Sequence, residues 1–189
     1  MDIKELKTLM RNRKKVSNKT DNYIKKKIIH KKEPDENEIK GHVQKSEHNL
    51  SFSKEVFDLG YLDWSVTGCY YSLYHMSLAL TSSKGYVSKN HDATMCLLIK
   101  LFSGINQEDL NLINSLFLDY KDLLFYLDIK QKREISSYST NYRFDKGYIS
   151  SLRSQSLGLI NKMRDILDEV SWKEDKNKKW QKEKQERFQ

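Results

Sequence analysis

The sequence predicts an all-α protein, an antiparallel bundle of four to five helices preceded by a basic helical N-terminal extension. Three observations point there. The 189 residues hold seven glycines and one proline, too few turn formers for a sandwich or barrel. Apolar residues recur at spacings of three and four through most of the chain, the period of an amphipathic helix. No glycine-rich phosphate loop occurs, which disfavours Rossmann and P-loop enzymes. Hydrophobic residues make up 38% and charged residues 32%, against about 45–50% and about 25% in ordinary domains. The core should therefore be small for the length, and solvated helix extensive.

Residues 1–16 place Ile3, Leu6, Leu9 and Met10 at helical spacing among Lys and Arg, a short amphipathic helix. Residues 17–32 are polar and basic. Pro34, within Glu33-Pro34-Asp35-Glu36-Asn37, breaks any helix before it and marks the best boundary. A first bundle helix is expected over Glu36–Asp58, stopped by Gly60. A second over Tyr61–Thr81 is apolar on many sides (Trp64, Val66, Cys69, Tyr70, Leu73, Tyr74, Met76, Leu78, Leu80) and should be central. Residues 82–86 read as a loop. Asn90 is a good N-cap for a third helix to Phe102. A fourth is expected over Gln107–Lys132, and 133–144, rich in Ser and Tyr, reads as a connector or loosened helix end. A fifth spans Lys146–Trp172, with Ile149, Leu152, Leu157, Ile160, Met163, Ile166, Leu167 and Val170 on one side; the charged tail extends it and frays. The chain thus divides into a basic extension (1–33), a bundle (34–172) and a charged tail (173–189).

Charge follows the same division. Residues 1–32 carry twelve basic and three acidic side chains, residues 33–170 fifteen and nineteen, and residues 171–189 seven and four. Basic arms on an acidic body attract RNA, DNA or anionic lipid, although Lys-rich helices also stay soluble without any partner. Cys69 and Cys96 lie in apolar stretches and read as reduced core thiols of an intracellular, cytoplasmic protein. The charged N-terminus is unlike a signal peptide, and no apolar run approaches the length of a membrane span; no membrane partner is expected.

Metal and hydrolase signatures fail. The histidines, His30, His42, His48, His75 and His91, form no HExxH and no zinc-spaced set with cysteine. His42 and His48 fit a solvated helix face. No nucleophile elbow occurs. No metal and no cofactor are expected. Three features remain. Tyr70 and Tyr74 share a helix face, and Tyr71 and His75 an adjacent one; the cluster is either core or a polar seam lining a groove or interface. His91, at a helix N-terminus, is held towards its neutral form and either caps the helix or helps hold a phosphate. Arg133, followed by Ser136, Ser137, Tyr138, Tyr142 and Arg143, can bind phosphate through its planar fork, or pair with Asp119, Asp122 or Asp128.

Together these features resemble the HEPN domain family. Lys45 to Phe102 opens a helix with Lys-x-x-x-Asn (Lys45 to Asn49). A short turn and a Tyr-Tyr helix ending in Ala-Leu (Tyr70-Tyr71 to Ala79-Leu80) follow, then a glycine loop and a helix headed by Asn90-His91. The lead-in Glu33-Pro34-Asp35-Glu36-Asn37 resembles the Glu-Pro-Asn-Glu-Asn of archaeal HEPN proteins. The resemblance covers residues 28–170. It implies a helical bundle, commonly a homodimer, of prokaryotic toxin–antitoxin and defence systems that also contain minimal nucleotidyltransferases. Many HEPN proteins are metal-independent ribonucleases with an Arg-x(4–6)-His motif across the dimer. Here Tyr138, Ser139 and Thr140 stand five to seven residues after Arg133, and none is His. A tyrosine with a pKa near about 10 cannot replace a group that titrates at neutrality. The resemblance therefore implies a nucleotide- or RNA-binding module, or a nucleotidyltransferase partner, with Arg133, Tyr138, His91, Tyr71, Tyr74 and His75 as candidate phosphate-binding residues. Two alternatives stand beside it. One is a divergent ribonuclease toxin in which Arg133 steadies the phosphate and His91 or His75 moves the proton. The other is a structural helical adaptor.

Overall fold

The computed structural model describes residues 1–103, 117–140 and 143–186. Seven helices stand among these: α1 (Ile3–Met10), α2 (Arg13–Lys25), α3 (Glu36–Asp58), α4 (Leu62–Ser83), α5 (His91–Phe102), α6 (Tyr120–Tyr138) and α7 (Lys146–Glu186). The all-α class holds, but the expected four- to five-helix bundle with an appended basic arm does not. Two of the seven helices come from the N-terminal segment, and both enter the main core: Leu6 and Leu9 of α1 and Val16 of α2 are buried there. The segment folds as two helices because each has its own cap. Asp2 accepts from the Glu5 N–H, and Asn12 from the Lys15 N–H. Lysines fill the faces of α2 away from Val16 and Thr20, which is how so basic a helix buries one side.

A short ladder departs from the helical pattern. β1 (Ile29–Lys31) pairs antiparallel with β2 (Tyr86–Ser88), Ile29 opposite Ser88 and Lys31 opposite Tyr86. Lys27, at φ 56°, turns the chain out of α2 towards it. Gly85, at φ 73°, lies so close to Lys32 that a Cβ there would stand 2.7 Å from the Lys32 carbonyl oxygen. Only glycine fits both demands.

The central helix is α4, most of whose 22 residues are buried. It packs against α3, α5, α6 and α7. Against α3 the seam is made of serines. Ser46 Oγ donates to the Ser72 carbonyl at 2.8 Å, and Ser72 Oγ donates back to the Ser46 carbonyl at 2.7 Å. Seven residues along each helix, Ser53 and Ser65 repeat the exchange at 2.9 Å in both directions. Gly68 lies between the two pairs, where a Cβ would meet Ser53 Cβ at 2.9 Å and the Asn49 carbonyl at 3.0 Å. Small side chains thus let two helix backbones come close, and each buried hydroxyl is satisfied by the opposite helix.

Two boundaries differ from expectation. Helix α6 begins after Asp119, whose carboxylate accepts from the Asp122 N–H in a reciprocal capping box. The portion of the expected fourth helix over 107–116 lies outside the described residues. Helix α6 also runs on to Tyr138, so Arg133, Ser136, Ser137 and Tyr138 belong to a helix, not a connector. Ser136 Oγ donates to the Asp63 carbonyl at 2.8 Å and ties that last stretch to the start of α4. Asn141 and Tyr142 lie outside the described residues. Helix α7 packs on α4 through Leu152, Ile160 and Met163, whereas Leu157, expected on the same apolar side, is exposed.

Candidate functional site

The crossing of α6 over α4 builds the site. Arg133, half-buried on α6, lays its guanidinium over three tyrosine rings. Its Cζ is 5.1 Å from the Tyr71 centroid and 5.6 Å from those of Tyr70 and Tyr138. These are cation–π distances. An Arg133 N–H also donates to the Tyr71 hydroxyl, while its Nε is buried without a hydrogen-bond partner. No carboxylate lies within ion-pair distance of it among the described residues. The acids considered as its partners are engaged elsewhere: Asp119 and Asp122 face Lys162, and Asp128 faces the Tyr148 hydroxyl.

One turn earlier on α6, Lys130 shows the ordinary arrangement. Its ammonium is 3.2 Å from both Asp92 and Glu134. Two cations on one helix face therefore differ in kind: Lys130 is neutralised by acids, and Arg133, among the described residues, is held by neutral hydroxyls and rings. Burial works against the Arg133 charge, but the Tyr71 hydrogen bond and the oxygens of Tyr71 and Tyr138 outweigh it, so the guanidinium keeps its proton firmly.

Beneath the arginine, Tyr70 joins it to His91. The Tyr70 hydroxyl is 2.5 Å from His91 Nδ1. Tyr74 stacks parallel to Tyr70 at 6.2 Å and holds its ring 4.2 Å from that of His91. The buried Tyr126 closes the floor, 6.2 Å from Tyr70. His91 is the first residue of α5, placed by the Asn90 cap, whose side chain accepts from the Ala93 N–H at 2.9 Å. Burial, then the positive charges of Arg133 and Lys130, lowers its pKa below the ordinary 6.5, against the opposing pull of Asp92 and Glu134. Burial raises the pKa of Tyr70, Tyr74 and Tyr126, so all three stay protonated and can act as hydroxyl donors.

Five of the six residues singled out from the sequence thus meet: Arg133, Tyr138, Tyr71, Tyr74 and His91. The sixth, His75, turns away. Its Nδ1 faces His42 Nδ1 at 3.1 Å across the α3–α4 seam. His42 is half-buried there rather than on a solvated face. Tyr70, which the sequence leaves open as core or as part of a polar seam, is buried core and also carries the link from arginine to histidine. Nothing in the spacing of Tyr70, Tyr71, His91 and Arg133 signals this, because the Tyr70–His91 and Tyr71–Arg133 contacts join residues 21 and 62 positions apart.

The assembled groups can receive an anion. They offer a guanidinium without an acid partner among the described residues, the Tyr71 and Tyr138 hydroxyls beside it, and a neutral imidazole at a helix N-terminus. Among the described residues no three or more His, Cys, Asp or Glu side chains gather as a metal site, and no helix is long and apolar enough to cross a membrane. No protein-family model matches the chain, and no curated protein matches it significantly.

Proposed function

We propose that the Arg133–tyrosine cleft binds the phosphate of a nucleotide or of RNA, the role that a HEPN-like module lacking the nuclease histidine would have. The observation that carries this is that no carboxylate lies within ion-pair distance of Arg133 among the described residues, Asp92 and Glu134 being engaged by Lys130. A half-buried cation ordinarily finds an acid, as Lys130 does; one surrounded by hydroxyls keeps its charge for an incoming anion. Tyr138, exposed and beside the guanidinium, offers a ring on which a base can stack. The basic segment over residues 1–32 adds sequence-independent attraction.

A homodimer, or a complex with a nucleotidyltransferase, belongs to the same proposal. Leu59, Tyr61, Trp64, Ile135 and Tyr138 are exposed large side chains around the start of α4 and the end of α6, and they give such a partner apolar surface to cover. A cytoplasmic location goes with it.

Binding of a fluorescent single-stranded RNA, followed by anisotropy across a salt series, tests the reading. Affinity should fall steeply with salt; no saturable binding at low salt contradicts it. A second reading is favoured by one contact, that of His91 with Tyr70 under Arg133: a ribonuclease in which His91 moves the proton. RNA shortened in EDTA by the wild type but not by Arg133→Ala or His91→Ala would select it.

A further inference from the structure

Helices α3 and α7 both pack on α4 and leave a groove between them. It shares no residue with the Arg133 cleft. Its volume is about 450 Å³, that of a small-molecule site. Leu50, Leu157 and Ile160 give it an apolar floor. The exposure of Leu157 has its place here, because the side chain lines this groove.

Two bridges from helix to helix bound the groove. At one end Arg164 Nη2 donates to Glu47 Oε1 at 2.7 Å. At the other the Arg153 guanidinium lies over the Phe57 ring, 4.8 Å from its centroid. From Glu47 to Phe57 the helical rise puts the bridges about 15 Å apart. A ligand that ends between them fits; a peptide running on past would have to break one.

Charge narrows the occupant further. Arg164 is paired with Glu47, and Lys54, on the α3 wall, with Asp58 at 2.9 Å. Among the lining residues Arg153 is the cation left over. It is half-buried, its Nε is buried with no hydrogen-bond partner, and no carboxylate lies within ion-pair distance of it among the described residues. Asp58 feels the Arg153 charge but is held by Lys54. Lys146 also approaches the Phe57 ring, at 5.5 Å, without lining the groove. One unpaired cation at the end of an apolar trough matches one negative charge on an apolar body.

We propose that the α3–α7 groove binds a medium-chain carboxylate, its head on the Arg153 guanidinium and its alkyl chain over Leu50, Leu157 and Ile160. The planar fork of arginine takes a carboxylate through two parallel hydrogen bonds. The chain covers apolar surface that the fold leaves open to water.

Calorimetric titration of the full chain with octanoate, kept below its micelle-forming concentration, tests this. The wild type should bind one equivalent saturably. Butyrate should bind about tenfold more weakly or worse, since each fully buried methylene is worth about fourfold. Octanol has the chain without the charge and should also lose about tenfold. Arg153→Met keeps an apolar stem beside Phe57 and removes the guanidinium; octanoate should weaken by about tenfold or more. Leu157 is exposed, so Leu157→Gln should leave the melting temperature near that of the wild type while weakening octanoate and octanol alike. Absence of saturable octanoate binding, octanol bound as tightly as octanoate, or wild-type octanoate affinity in both variants overturns the proposal. A peptide ending in leucine that saturates the chain where octanoate does not would give the groove to a partner's chain end, and overturns it likewise.

Discussion

Replacing Gly68 by alanine adds one methyl group at the closest approach of α3 and α4. That methyl would stand 2.9 Å from Ser53 Cβ, 3.0 Å from the Asn49 carbonyl oxygen and 3.1 Å from Ser53 Cα. Two of the three atoms belong to backbone and cannot swing aside, so the helices must part by about 0.5 Å to restore ordinary contact. Overpacking of this kind costs about 1–3 kcal/mol. Parting also stretches the Ser53–Ser65 exchange, each buried bond of which is worth about 1 kcal/mol. Against this, alanine is the better helix former by about 1 kcal/mol. The net expectation is a loss of about 1–3 kcal/mol, or several degrees of melting temperature at about 2–4 °C per kcal/mol for a chain of this size. Urea denaturation followed by circular dichroism measures it. A Gly68→Ala protein as stable as the wild type, or more so, would show that helix propensity alone governs the position and that the tight serine seam is absent.

Other outcomes follow from the same structure. Leu6→Ala should cost about 2–5 kcal/mol, the range for a fully buried leucine; a change near zero by denaturant unfolding would return α1 to the status of a loose arm. His42 and His75 have folded pKa values below the ordinary 6.5, so the unfolded chain binds protons more readily than the native one. Their contribution to stability is whole above 6.5 and is lost as pH falls towards about 4. The wild type should therefore lose melting temperature over that window more steeply than the His42→Gln/His75→Gln variant, and parallel profiles would refute this. Tyr138→Phe should weaken RNA binding less than a change at Arg133, because it removes a hydroxyl and keeps the ring; anisotropy titration decides the order.

Much of the helical pattern was legible in the sequence. The Asn90 cap, the Gly60 stop and the α3 range follow from local chemistry, and the structure has them where that chemistry puts them. The N-terminal helices were legible as helices only in part. Helix α2 buries just Val16 and Thr20 among its lysines, so its hydrophobic pattern is too thin to reveal that it packs on the core. The ladder is three residues long on each side, too short to leave a period. The Ser-Tyr composition after Lys132 suggested a connector, but a tertiary bond from Ser136 to the Asp63 carbonyl supports helix there, and local propensity does not report it. The seam did leave a trace, in serines at seven-residue intervals, 46 and 53 facing 72 and 65, around a helical glycine. The site residues were legible as types, since an arginine near hydroxyls and a histidine at a helix start both suit phosphate. Their assembly was not, because it depends on where α6 crosses α4.

Arg133→Lys tests the central claim most directly. Lysine keeps the charge and loses the planar two-point fork. RNA affinity and melting temperature should be measured on the same preparation. The account predicts affinity lower by about 1–3 kcal/mol, the worth of hydrogen bonds to a charged group, with a melting temperature close to that of the wild type. Unchanged affinity with a lowered melting temperature would contradict it, and would make Arg133 a residue that braces α6 against the tyrosines of α4 and binds nothing.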